Sequence, residues 1–171
     1  MNLQEAIGVA LDFERRVRDH YHRGASAIED AQGRRTFQAL AAEEQGHVEY
    51  LEYCLAEWKE TGKVPDRPLK TVLPRGVKWI EVERKKLQGR PDRRVARASE
   101  LDALKVALQY EKDADAFYHR LVMELPRGEQ VLFEKFLGIE DGHVELVQAE
   151  LDSVLGTGFW FDVMEFRLET E

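Results

Sequence analysis

Cysteine is nearly absent from this chain of 171 residues: Cys54 stands alone. A single thiol forms no intrachain disulfide and no cysteine-based metal site, so cohesion and any metal binding must come from other side chains. Long apolar runs are missing too. None approaches the ~20 residues of a membrane-spanning helix, so no membrane partner is expected. The opening stretch MNLQEAIGVALDFERR meets charge too early for the apolar region of a signal peptide. A cytoplasmic location is the default expectation. Basic charge is in deficit, with 25 Lys and Arg against 33 Asp and Glu, a net charge of -8. That argues against a nucleic-acid partner, which favours a basic patch, and suits the attraction of cations. Proline is scarce and unevenly placed: Pro65, Pro68, Pro74 and Pro91 crowd one stretch, and only Pro126 lies elsewhere.

What remains is charge and apolar side chains at helical spacing. Asn2 with Glu5 three residues on forms a capping box. Leu3, Ile7, Ala10, Val17, Tyr21 and Ile28 then mark one helical face. A break is expected near Ala31-Gln32-Gly33, and a second helix from about Arg34 to Lys59 with Phe37, Leu40, Leu51 and Trp58 along its stripe. Thr61-Gly62 ends it. The prolines of residues 62–98 exclude one long helix, though Val77–Arg84 reads as a short one. Ser99, with Asp102 three residues on, reads as the N-cap of a third long helix reaching about Leu125. Pro126-Arg127-Gly128 turns the chain into a fourth, from about Glu129 to Val154. The expectation is an all-α four-helix bundle over residues 1–155, with a long crossover at about 61–98. The aromatic tail, residues 156–171, needs burial on the bundle or on a second subunit.

The chain repeats itself. Shifted by 97 positions, the first helix lands on the third: Ile7 on Leu104, Ala10 on Ala107, Glu14 on Glu111, and Tyr21-His22-Arg23 on Tyr118-His119-Arg120. Shifted by 96, the second lands on the fourth: Phe37 on Phe133, Leu40 on Phe136, and Glu44-Gln45-Gly46-His47 on Glu140-Asp141-Gly142-His143. The two hairpins are duplicates.

Six polar residues interrupt the apolar stripes near mid-helix. They are Glu14, Glu44, His47, Glu111, Glu140 and His143, and two helices carry Glu-x-x-His. The i, i+3 spacing sets each Glu-His pair on one face, a turn apart. Four buried carboxylates repel unless compensated, and no Lys or Arg lies on these seams. Two divalent cations would balance them. Carboxylate oxygens with one imidazole per metal suit iron or manganese, and spacing does not choose between the two. A solvated Glu-x-x-His is the ordinary reading of one such pair; two pairs in register with two more seam glutamates favour the metal.

Tyr21 and Tyr118 follow Glu14 and Glu111 by two turns on the same face. Their hydroxyls are placed to hydrogen-bond ligating carboxylates across the bundle. His22 and His119 sit one position off the seam and are not expected to ligate, and His20 reads as a surface residue. Gly46 and Gly142, inside helices at some cost to them, suggest close helix approach. Cys54 reads as a small apolar filler. Glu49, Glu145 and Glu150 read as solvated.

Ala10-x-x-x-Glu14, Glu44-x-x-His47, Ala107-x-x-x-Glu111 and Glu140-x-x-His143 resemble the motifs of the rubrerythrin and ferritin-like di-iron carboxylate family. The resemblance covers residues 1–155. It implies a ferritin-like bundle and a centre of two iron ions, with manganese as the alternative at one or both positions. It implies an oxidoreductase that reduces hydrogen peroxide or dioxygen, or else a ferroxidase that stores or buffers iron. A homodimer or higher homo-oligomer is expected. The Cys-x-x-Cys pairs of a rubredoxin-like domain are missing, so electrons would come from a separate donor protein. Rubrerythrins carry a further glutamate three residues after the third-helix ligand. Here that position is Ala114, and its repeat partner is Val17, so a mechanism that exchanges that glutamate has no residue to use.

Overall fold

The computed structural model describes residues 1–73, 77–88 and 94–163. All regular structure among them is helical: α1 (Leu3–Ala27), α2 (Ala31–Thr61), α3 (Val77–Gln88), α4 (Ala98–Glu124) and α5 (Arg127–Thr157). Pro74, Pro91 and the tail beyond Val163 lie outside the described residues.

The Asn2 capping box forms as the sequence suggests. Its side chain accepts from the Glu5 N–H at 2.9 Å, and the Glu5 carboxylate returns to the Asn2 N–H at 3.0 Å. The other helix starts differ from expectation. The first break falls at residues 28–30, because Asp30 caps α2 by accepting from the N–H groups of Gln32 and Gly33 at 2.9 and 3.0 Å. Ala31-Gln32-Gly33 is therefore the first turn of α2. Ser99 is not the cap of α4. Arg97 holds that position without a side-chain hydrogen bond, and Ser99 lies in the first turn. Helix α5 begins at once after Pro126, whose carbonyl accepts from Glu129 and Gln130, and runs through Gly156 to Thr157. Helices α2 and α5 both stop on a left-handed glycine, Gly62 at φ 68° and Gly158 at φ 77°.

Cross-helix pairs give the topology. Arg15 meets Glu52 and Arg18 meets Gln45, so α1 and α2 are antiparallel. Tyr118 packs on Phe136 and Glu111 faces His143, so α4 and α5 are too. Tyr21 reaches Glu111 while Tyr118 reaches Glu14, making α1 and α4 antiparallel. Helices α2 and α4 consequently run parallel. The crossover makes this possible by travelling back along α2: the carbonyl of Arg67 accepts from Tyr50, and further on Thr71, Val72 and Leu73 all donate to the Glu43 carboxylate. Helix α3 then packs on α5, and Arg94 pairs with Asp30 and Glu100 at the start of α4.

The tail closes the end where α1 meets α2. Trp160 stands edge-on to Phe37, ring centroids 5.8 Å apart, and Phe161 edge-on to Trp79 at 5.9 Å. Gly33 makes room: a Cβ there would lie 2.4 Å from the Trp160 indole. Cys54 is buried among apolar side chains, as a filler would be. No helix among the described residues is long and apolar enough to cross a membrane.

Candidate metal centre

Two apolar clusters fill the interior. One contains Ile7, Ala10, Leu51, Phe117, Phe133 and Phe136. The other contains Val17, Phe37, Leu104, Ala107, Val147 and Trp160. Between them lie Glu14, Glu44, His47, Glu111, Glu140 and His143, none more than 2% exposed. The helical stripes carry these residues inward, because each occupies a core position of its helix. The structure brings together all six side chains named from the sequence.

They form two overlapping groups that could each hold a metal ion: Glu14, Glu44, His47 and Glu140, and Glu44, Glu111 and His143. Glu44 belongs to both. Its Oε2 lies 3.1 Å from His47 Nδ1, and its Oε1 lies 3.1 Å from His143 Nδ1. Glu140 does the same from the opposite helix, with Oε1 at 3.3 Å from His47 Nδ1 and Oε2 at 3.8 Å from His143 Nδ1. Each of these carboxylates thus turns one oxygen to each imidazole. Glu14 and Glu111 face one imidazole each, His47 at 3.1 Å and His143 at 3.6 Å. The imidazole planes are 10° from parallel, with centroids 5.4 Å apart.

The separations of 3.1 and 3.3 Å are those that donor atoms adopt around a shared cation, and those of 3.6 and 3.8 Å lie above them. Metal–ligand bonds of ~2.1 Å give donor–donor edges of ~3.0 Å in an octahedron and ~3.4 Å in a tetrahedron. Glu44 Oε1, Glu111 Oε2 and His143 Nδ1 are buried and take part in no hydrogen bond, although both oxygens lie against the imidazole; Glu140 Oε1, against His47, is likewise without one. Buried polar atoms seldom go unpartnered, and a cation in each group would serve them.

The tyrosines cross between the halves. Tyr21 of α1 donates to Oε1 of Glu111, and Tyr118 of α4 donates to Oε1 of Glu14. In both cases Oε2 is left turned to the histidine. Burial, and then the adjoining carboxylate, push both phenols well above their ordinary range, so the hydroxyls remain donors.

Burial also governs the carboxyls. It raises Glu14 to about 8, against the pull of His47. It raises Glu111 and Glu140 as well, helped by Glu44 and Glu14 respectively. Glu44 goes the other way: despite burial, His47 and His143 hold it well below the usual carboxylate range. Both histidines are lifted well above theirs, Glu44 and Glu14 outweighing burial at His47, and Glu111 and Glu44 at His143. Without a metal, protons take the place of positive charge in this pocket.

Several residues depart from expectation. Glu150 is buried, accepting from Thr36 Oγ1 at 3.4 Å and the Phe161 N–H at 3.0 Å, and burial raises it to about 8. Glu49 and Glu145 are solvated as anticipated. His20 is half-buried, its Nε2 lying 3.0 Å from the Ala103 carbonyl and its ring edge-on to Tyr110. Gly46 is exposed, and a Cβ there would meet nothing within 4 Å, so it serves no close helix approach. It lines a groove of about 470 Å³ between α2 and the crossover, with Tyr50, Arg67 and Lys70. None of the six central residues lines that groove. The buried carboxylates Glu43, Glu83 and Glu100 had no periodic signal; each is held by the crossover or the tail.

No family model, curated protein or solved structure matches the chain.

Proposed function

We propose that this chain is a di-iron carboxylate oxidoreductase of the rubrerythrin type, built on a ferritin-like four-helix bundle. It would reduce hydrogen peroxide or dioxygen with electrons from a separate donor protein. The observation that carries the reading is the division of labour among the four glutamates. Glu44 and Glu140 each turn one oxygen to each histidine and would be the residues that serve both ions. Glu14 and Glu111 each face one histidine and are placed as terminal ligands. Four carboxylates and two neutral imidazoles balance two divalent cations, and this oxygen-rich donor set suits iron or manganese.

Two iron ions held there by Glu14, Glu44, His47, Glu111, Glu140 and His143 would supply a two-electron reservoir for the reduction of peroxide or dioxygen. The protein's part is to hold and enclose. Tyr21 and Tyr118 tie up one oxygen of each terminal carboxylate and fix which oxygen faces inward. Phe136, edge-on to the His47 ring at 5.3 Å, helps exclude water. Enclosure of the six residues favours a very small oxidant over an organic substrate.

Anaerobic loading with ferrous iron, followed by peroxide or oxygen, tests this. Two irons per chain are expected, with an absorbance change faster than that of free iron. No bound iron or manganese after reconstitution would overturn it. The alternative is a ferroxidase that stores iron. It uses the same ligands but requires a closed shell of many subunits, whereas a dimer on size-exclusion chromatography fits the peroxidase reading.

A further inference from the structure

A second group of metal-ligating side chains lies on the outer face between α4 and α5. Asp115 and His119 are one turn apart on α4, and Asp141 reaches toward them from α5. His119 Nε2 is 3.4 Å from Asp115 Oδ1 and 3.9 Å from Asp141 Oδ1, and one donor atom from each residue lies within 4.8 Å of the others. These separations approach the ~3.4 Å edge of a tetrahedral site with ~2.1 Å bonds. Asp115 Oδ1 is itself shut off from water and takes part in no hydrogen bond.

The internal repeat supplies a control within the same molecule. Asp115, His119 and Asp141 correspond to Arg18, His22 and Gln45 of the first half. There, Arg18 Nη1 donates to Gln45 Oε1 at 3.0 Å, so a guanidinium links α1 to α2. In the second half the guanidinium is replaced by a carboxylate, and its amide partner by another. Two acids now face each other where a cation and its acceptor stood. Among the described residues no Lys or Arg forms an ion pair with either; the one basic group that does is His119. The positive charge that the first half carries in its own sequence is missing from the second.

We propose that Asp115, His119 and Asp141 bind a divalent transition-metal ion, separate from any held by the six buried residues. One imidazole with two carboxylates suits Zn²⁺, Co²⁺, Fe²⁺ or Mn²⁺ over Ca²⁺ and Mg²⁺, which prefer all-oxygen ligands. His119 and Asp141 are more than half exposed, so water completes the coordination and the ion exchanges with solvent. The site uses none of the buried residues and does not depend on the function proposed for them.

The test is an NMR titration of the full chain with Co²⁺, following the histidine ring signals, paired with zinc stoichiometry. In the wild type, the His119 ring signals shift and broaden with stoichiometric Co²⁺ while those of His22 stay put. The double variant Asp115→Arg, Asp141→Gln rebuilds the first half's arrangement. It is expected to abolish the His119 response and to bind one zinc fewer per chain. The conservative variant Asp141→Asn weakens Co²⁺ binding at least tenfold, which keeps the test decisive if the double variant misfolds. Glu44→Ala, which disrupts the buried groups, leaves the His119 response intact. Equal response of His22 and His119, response only at large excess of Co²⁺, or full metal binding in the double variant overturns the proposal. Unchanged zinc stoichiometry in Glu44→Ala counts instead against the buried centre.

Discussion

The two hairpins agree at their middle and part company toward their ends. At mid-helix the match is close: Glu14 and Glu111, Glu44 and Glu140, His47 and His143, Tyr21 and Tyr118 occupy equivalent places and make equivalent contacts. Toward the ends, Cys54 in the first half stands against Glu150 in the second, and Gly33 against Glu129. Glu43, which anchors the crossover, corresponds to the apolar Ile139. The difference follows from what each region packs against. The inward-facing residues at mid-helix pack on their own duplicate, so both copies meet one set of demands; Glu43, next to Glu44 but turned to the crossover, is already free of them. The ends meet segments that occur once. The crossover lies along α2, and the tail lies over α2 and α5.

The contrast can be broken at its centre first. Glu44 belongs to both groups that could hold a metal, so on the proposed function Glu44→Ala is expected to cost the buried centre both ions at once. Glu14→Ala and Glu111→Ala should each cost one, and by similar amounts. Elemental analysis after reconstitution and dialysis reads the difference.

At the ends, Glu150→Gln should expose the asymmetry as a pH effect. Glu150 is raised from 4.5 to about 8 in the fold. The wild type therefore has its full share of stability from this group below pH 4.5 and loses it as pH rises toward 8. Glutamine does not ionise. The variant should gain on the wild type by about 1.4 kcal/mol per pH unit across that window, as followed by urea unfolding at pH 5, 6.5 and 8. The matching change in the first half, Cys54→Ser, should show no such slope.

Gly33→Leu forces a side chain into the Trp160 indole. Overpacking of this kind costs ~1–3 kcal/mol, visible as a lowered Tm. Glu129→Leu, its repeat partner, should stay within about 0.5 kcal/mol of the wild type. The smallest effect on the buried centre is expected from Tyr21→Phe and Tyr118→Phe. Each leaves one terminal carboxylate oxygen without its donor and should weaken metal binding about tenfold. The two variants should match one another; if one is silent, the halves are not equivalent in use.

The centre was legible in the sequence because its residues obey the helix period. Glu14, Glu44, His47, Glu111, Glu140 and His143 stand where apolar side chains belong, and the repeat picks them out twice. The buried carboxylates elsewhere were not legible. Glu150 is satisfied by the backbone of Phe161 and by Thr36, and Glu43 by three donors from residues 71–73. These partners lie in, or depend on, segments without periodicity, and nothing in the spacing of α2 or α5 announces them. Helix starts slipped for a related reason. Asp30 caps α2 through its own carboxylate, whereas Ser99 has the right chemistry for a cap but lies one residue inside the helix. His20 reads as a surface residue because its cover comes from α4, through Ala103 and Tyr110, which the spacing of α1 does not reveal.

The crossed tyrosines have a consequence for the hairpins taken singly. Each hairpin owns a hydroxyl whose acceptor lies on the other, and a carboxylate whose donor lies on the other. Cut apart at the crossover, either piece would expose an unanswered pair of groups on its apolar face. Two identical copies of one piece would answer each other by reciprocal exchange, as an ordinary twofold dimer does. The chain is thus a dimer tied into a single strand, and its second copy is free to drift wherever it no longer touches its twin.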